Sequence, residues 1–226
     1  TKDPATFKLV GKPTRTVAVE SEDAAAVVAA VRSLEMGGYV NTSYPRGLAT
    51  LIDGEPSRYA VIDVGTNSVK FHLGERDLGG TWRTVVDRAE MTRLGEGLEQ
   101  HHVIGDAALE RTAAAIAGMV DEAKRHGVLA TVAVGTAGLR IASNRDAVLA
   151  AIEKRTGVGI EVISGDEEGR LAYVAATSGL GLSAGSLVVF DTGGGSSQFT
   201  FGHGSSVDER FSVNVGAASV RLISSS

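Results

Sequence analysis

Apolar and polar positions alternate with period two over Tyr59–Val64, Ser68–Glu75 and Thr81–Met91. Tight turns separate them, Gly65-Thr66-Asn67 first and a glycine-rich stretch from Arg76 to Gly80 second, so the pattern predicts an antiparallel meander. Trp82 is expected to pack on a sheet face. The period then changes. Between Gly105 and Gly127, Leu109, Ala113, Ile116, Val120 and Ala123 recur at helical spacing, with Asp106 as the expected cap and Gly127 as the stop. A strand is expected over Val128–Val134. A helix follows from Arg145 to Arg155, capped by Asn144 and ended by Gly157, then a strand over Gly159–Ser164 and a helix from Gly165 to about Thr177.

The apolar run Leu187–Phe190 reads as a further strand. It ends on Asp191, crosses Gly193-Gly194-Gly195, and resumes as an alternating strand with Phe199 and Phe201 pointing inward. Val207–Val215 would be its third strand and Ala217–Ile223 the start of a helix. Near the N-terminus, Phe7–Val10 and Thr16–Val19 fit short strands, Asp23–Leu34 a helix capped by Ser21, and Asn41–Ser57 a loop. All four prolines fall in the first 56 residues. That shift marks a boundary, giving an N-terminal extension of residues 1–57. A meander followed by helix, strand, helix, strand, helix is an α/β arrangement, a ribonuclease-H-like mixed β-sheet flanked by helices, over residues 58–183. Residues 184–226 repeat its opening and read as the start of a second copy, shortened relative to the first.

Composition narrows the function. A net charge of −5 argues against nucleic-acid binding, which needs basic phosphate contacts. No stretch reaches the ~20 apolar residues that span a bilayer, and the first residues lack the apolar core of a signal peptide. With no cysteine among 226 residues there are no disulfides, in keeping with a cytoplasmic protein. The pair His101-His102 is expected to be solvated loop, because adjacent side chains diverge on regular elements. Twenty-nine glycines are many, and several end strands.

Those glycines carry the chemistry. Three in succession remove side chains and allow successive N–H groups to surround an anion, while Ser196 and Ser197 add hydroxyls. Tyr59–Lys70 has the same layout, with Asp63 before the Gly65, Thr66, Asn67, Ser68 turn. A carboxylate beside an anion cradle makes sense when a cation sits between the two charges. Two such units suggest phosphates held in a cleft.

The chain resembles the actin, hexokinase and heat-shock chaperone superfamily, and within it the exopolyphosphatase and guanosine pentaphosphate phosphohydrolase family. The segments that carry the resemblance are VIDVGTNSVKF (Val61–Phe71), TRLGEGL (Thr92–Leu98), GTAGLR (Gly135–Arg140), ISGDEEGRL (Ile163–Leu171) and DTGGGSSQ (Asp191–Gln198). The resemblance implies an enzyme that removes terminal phosphate from inorganic polyphosphate or guanosine pentaphosphate (pppGpp) with Mg²⁺. Asp63 and Asp191 would hold the metal, since a hard cation prefers oxygen ligands. Gly65, Thr66, Asn67, Ser68, Gly193, Gly194, Gly195, Ser196 and Ser197 would cradle phosphate. Arg93, Thr136 and Arg140 would add two planar forks and a hydroxyl. Glu168 matches the family's catalytic glutamate and would act as general base. Gln198 stands where the family pattern has a glutamate; it can orient water but cannot take a proton. A homodimer is compatible with this reading. The rivals are a phosphate- or nucleotide-binding protein of the same fold without turnover, suggested by Gln198, and an actin-like ATPase or kinase.

Overall fold

The computed structural model describes residues 5–9, 12–16, 56–180, 185–204 and 206–217. By compactness the chain divides into one unit of Thr1–Arg58 with Glu75–Arg83, and another of Tyr59–Gly74 with Thr84–Ser226. The described part of the first unit contains an antiparallel pair, β1 (Ala5–Leu9) and β2 (Lys12–Thr16), in register from Ala5↔Thr16 to Leu9↔Lys12. It also contains Glu75, whose buried carboxylate accepts from Arg58 Nε at 2.7 Å and Arg83 Nε at 2.6 Å. These two arginines hold its pKa below the usual glutamate range. The expected helix over Asp23–Leu34 and loop over Asn41–Ser57 lie outside the described residues, apart from Pro56 and Ser57.

Beyond it the expected meander is present as β3 (Ser57–Val64), β4 (Ser68–Arg76) and β5 (Trp82–Met91). A one-turn helix, α1 (Leu98–His101), leads into the 20-residue α2 (Asp106–Arg125). Then come β6 (Ala130–Gly135), α3 (Ala137–Ile141), α4 (Arg145–Thr156), β7 (Ile160–Val162) and α5 (Gly165–Leu180). The five-stranded sheet has the order β5-β4-β3-β6-β7, with β3–β6 and β6–β7 parallel. A turn of three residues between β3 and β4 requires that pair to be antiparallel, so the sheet is mixed. This is the expected mixed α/β fold.

Ile62, Val64, Phe71 and Leu73 on one sheet face meet Ile116, Met119 and Val120 of α2 and Val148 and Ile152 of α4, all buried in one cluster. Each Leu, Ile or Phe removed from water there contributes roughly 1.5–3 kcal/mol. The core therefore anchors the strand ends from which the loops spring. Neither expected cap is made by its side chain. Gly105 precedes α2, with Asp106 already helical, and Asn144 turns its amide to the backbone of Ile104 instead (Ile104 N–H to Oδ1, 3.0 Å). Gly157 ends α4 in the left-handed region, as its position predicts. Trp82, expected on a sheet face, is more than half exposed.

A second, three-stranded antiparallel sheet of order β10-β9-β8 is built from β8 (Ser186–Thr192), β9 (Ser197–His203) and β10 (Ser206–Val213). Helix α5 packs across all three strands. Here the expected facing is reversed. Gln198 and Thr200 are buried toward α5, where Thr200 Oγ1 donates to Gly169 O at 3.0 Å. Phe199 and Phe201 lie on the other face with Phe190 and Phe211. The helix approaches so closely at Gly169 that a Cβ there would lie 2.9 Å from Thr200 Oγ1. Small and polar residues fit that face; phenyl rings do not. Among the described residues no helix is long and apolar enough to cross a membrane. The expected helix start at Ala217–Ile223 lies beyond the described residues, apart from Ala217 itself.

Candidate active site

Parallel pairing sets Asp63 beside Val134 and Val64 beside Gly135, so the β3 and β6 strand ends form one rim. Ligands in open α/β sheets gather outside such carboxyl ends. The turn after β3 closes with Gly65 N–H donating to Ser68 O at 3.0 Å. Its outer carbonyls then hold the next motif. Asn67 O accepts from Arg93 N–H at 2.8 Å and Thr92 N–H at 3.2 Å, and Thr66 O accepts from Gly95 N–H at 2.8 Å. Arg111 steadies that segment from α2, with Nε on Thr92 O at 3.0 Å and Nη2 on Glu96 at 2.6 Å.

Thr66 is where the loops converge. Its side chain sits against Gly95, Gly138 and Gly195, each from a different motif. A Cβ on Gly195 would lie 2.6 Å from Thr66 Oγ1, and one on Gly194 would lie 2.8 Å from Asn67 Cβ. The glycines are needed for this approach. The second loop closes like the first, with Gly193 N–H on Ser196 O at 2.9 Å. Among the described residues the N–H groups of Thr66, Asn67, Gly194 and Gly195 donate to no backbone carbonyl. Four free donors on facing loops make an anion-binding concavity.

The fourth motif enters through Arg140. Its Nη1 donates to Glu168 Oε2 at 2.7 Å and to Ile163 O at 3.1 Å, and its Nη2 lies 3.4 Å from Ser196 Oγ. Both partners of the ion pair are largely buried, at 17% and 16% exposed. Burial pushes the Glu168 pKa above the usual glutamate value. Arg140 opposes the shift, and the nearby carboxylates of Asp191 and Asp63 add to it. Negative charge thus outweighs positive around Glu168, where Arg140 contacts Glu168 and Lys70 contacts Asp63 (Lys70 Nζ to Asp63 Oδ2, 3.3 Å). Asp63 Oδ1 is buried without a hydrogen-bond partner, as are Thr66 Oγ1 and Gln198 Oε1. An orphaned carboxylate oxygen inside a surplus of negative charge fits a bound cation. Among the described residues no three His, Asp or Glu side chains form a metal cage by themselves. Mg²⁺ does not need one, since it binds through one or two carboxylates plus water and phosphate oxygens.

Other residues stand differently. The Arg93 side chain is exposed, without a hydrogen bond or ion pair among the described residues, on a backbone at φ 51°, a region costly for a non-glycine residue. Ser197 commits its hydroxyl proton to Val215 O at 2.7 Å, so that proton is not free for phosphate. Gln198 is 1% exposed and points into the protein, where Nε2 donates to Ser196 Oγ at 2.8 Å and lies 3.3 Å from Ser212 Oγ. Its hydrogen bond to Ser196 links it to the site. Thr136 is buried at the start of α3, its N–H donating to Val64 O at 3.2 Å. His101 and His102 are exposed. Sequence reasoning missed Lys70 and Arg111; Lys70 lies inside the first motif, two residues past the turn on the side Asp63 faces.

The Ppx/GppA phosphatase family model matches residues 57–223. A guanosine-5'-triphosphate,3'-diphosphate pyrophosphatase of Aliivibrio fischeri is 34% identical over 164 residues, covering 71% of this chain and 32% of that protein. An uncharacterised protein of Streptomyces coelicolor is 34% identical over 161 residues, covering 71% and 48%. The crystal structure of the Aquifex aeolicus Ppx/GppA family member superposes with a TM-score of 0.65 at 29% identity, covering 72% of this chain and 52% of that one. The chain thus spans at most about half the length of these relatives.

Proposed function

The chain belongs to the Ppx/GppA phosphatase family, and from that premise we propose that it removes the terminal phosphate of inorganic polyphosphate or pppGpp, assisted by Mg²⁺. The observation that carries the reading is Glu168: a largely buried carboxylate of raised pKa, on Arg140, beside the facing glycine loops. The open N–H groups of Thr66, Asn67, Gly194 and Gly195 bind the phosphate and fix its orientation. Arg140 joins the two halves of the site, with Glu168 on one side and Ser196 on the other. Glu168 takes a proton from water aligned with the terminal phosphorus, a task suited to a carboxylate whose basicity is raised toward the working pH. Asp63 and Asp191 hold Mg²⁺, which when bound neutralises charge on the phosphate oxygens.

Phosphate release from polyphosphate, pppGpp and ATP, measured side by side with and without Mg²⁺, tests the reading. Mg²⁺-dependent release from either of the first two in preference to ATP is expected. Preference for ATP would favour an actin-like ATPase instead. A second reading is favoured by the buried Gln198, which supplies no carboxylate to the site: a phosphate-binding protein without turnover. Binding of polyphosphate with no release from any of the three substrates would support it.

A further inference from the structure

Ser186, His203 and Asp208 stand on three adjacent strands at the far end of the second sheet from the glycine loop. Ser186 opens β8 and pairs in register with His203, the last residue of β9. Their side chains are joined, Ser186 Oγ to His203 Nε2 at 2.9 Å. The other ring nitrogen, Nδ1, is bonded to Asp208 Oδ2. An ionised carboxylate only accepts, so Nδ1 carries the proton and Nε2 is left to accept from the serine hydroxyl. That is the order of contacts in which an imidazole activates a serine, whatever the fold.

Two further features bear on the same corner. β10 pairs with β9 at Val207↔Gly202 and next at Glu209↔Phe201, so Asp208 is the extra residue of a β-bulge. A bulge re-aims a side chain, and this one sets Asp208 on the face that carries His203. Along that face the next cross-strand pair is Val188 and Phe201, both exposed, and beyond them lies Phe190. An apolar strip therefore begins one residue pair from the serine.

We propose that Ser186 is an activated nucleophile for carboxylic esters with an apolar acyl group, at a site separate from the phosphate loops. Ser186 Oγ bonds to the acyl carbon while its proton passes to His203 Nε2. The bond to the leaving alkoxide breaks, and the alkoxide takes that proton from the imidazole. Water, giving a proton to the same nitrogen, then attacks the acyl-serine. The carboxylic acid leaves and Ser186 regains its proton. Asp208 holds the ring in the required tautomer throughout, and the acyl chain lies along Val188 and Phe201. General-base assistance supplies roughly 10²–10⁴-fold, enough for esters with a good leaving group.

The test is p-nitrophenyl butyrate with the 226-residue chain, following nitrophenolate release and locating the butyryl group by peptide mass spectrometry. Butyrylation is expected at Ser186 and absent in Ser186→Ala. His203→Ala is expected to slow it by roughly 10²–10⁴-fold, with added imidazole restoring the rate there but not in Ser186→Ala. Butyrate is expected to react faster than acetate. All three side chains are on the surface, and far-UV circular dichroism checks that the variants fold. Label spread over surface lysines and serines without excess at Ser186, or a His203→Ala rate equal to the parent, would overturn the proposal. An acetate rate above the butyrate rate would overturn its apolar substrate class.

Discussion

Glu168 is held by opposing influences, and their balance can be measured without any turnover. Its pKa is raised because burial outweighs the Arg140 ion pair, with Asp191 and Asp63 adding to the rise. A carboxyl group whose folded pKa lies above its unfolded one binds its proton more tightly when folded. Stability is then lost as pH rises through the folded pKa. Glu168→Gln, which carries no charge, is therefore expected to melt at higher temperature than the parent at neutral pH. The gap should close as the pH falls below the raised pKa; a thermal melt series over pH 4–8, roughly the range in which perturbed carboxylates titrate, reads it. Arg140→Gln removes the one influence that lowers the pKa. The acidic limb of any pH–rate profile should move to higher pH in that variant, and an unmoved limb would mean that Glu168 is not the titrating base. Gln198 gives a third expectation. Its buried amide is surrounded by Ser196 and Ser212 hydroxyls, so Gln198→Glu places a carboxylate where solvent does not reach. A loss of about 1–3 kcal/mol or more is expected, seen as a lower denaturant midpoint, with no gain in phosphate release. A gain would show that this side chain reaches the reacting water after all.

At the level of elements, the glycine loops are shaped by what they leave out. Gly195→Ala would push a methyl onto Thr66 and disturb the meeting point of three motifs, at a cost of about 1–3 kcal/mol for overpacking. Polyphosphate affinity and melting temperature should fall together. Adding Thr66→Ala should recover much of the melting temperature but not the affinity, and calorimetric binding would separate the two. The segments that build this cradle were legible in the sequence because Asp-Val-Gly-Thr-Asn and Asp-Thr-Gly-Gly-Gly stand with three further motifs in one order along the chain. The strand and helix order was legible from the change of period near Gly105. Facing was not. Alternation along β9 says that Phe199 and Phe201 share a face, but only the docking of α5 decides which face is buried. The bulge at Asp208 was equally hidden, since nothing local to Val207-Asp208-Glu209 signals an extra residue. Asp106 and Asn144 were read as caps from residue type, yet Asn144 is drawn to the Ile104 backbone 40 positions away in sequence. Arg93 takes a left-handed backbone because two of its neighbours' N–H groups and its own are tied to Thr66 and Asn67.

For the whole molecule, the decisive quantity is charge. A chain of net charge −5 is proposed to take a polyanion, and the charges of Asp63 and Asp191 already raise the Glu168 pKa. Chelation of Mg²⁺ should therefore weaken polyphosphate binding. Asp63→Asn and Asp191→Asn should each blunt that metal dependence while the fold survives, as titrations with and without the ion would show. The proposed reaction divides the work, Glu168 acting in chemistry and the glycine loops in binding. Its most direct test is single-turnover phosphate release from polyphosphate with Mg²⁺, comparing the parent and Glu168→Gln at saturating protein. Equal binding and a release rate lower by roughly 10²–10⁴-fold are expected in the variant. Equal release rates would contradict it.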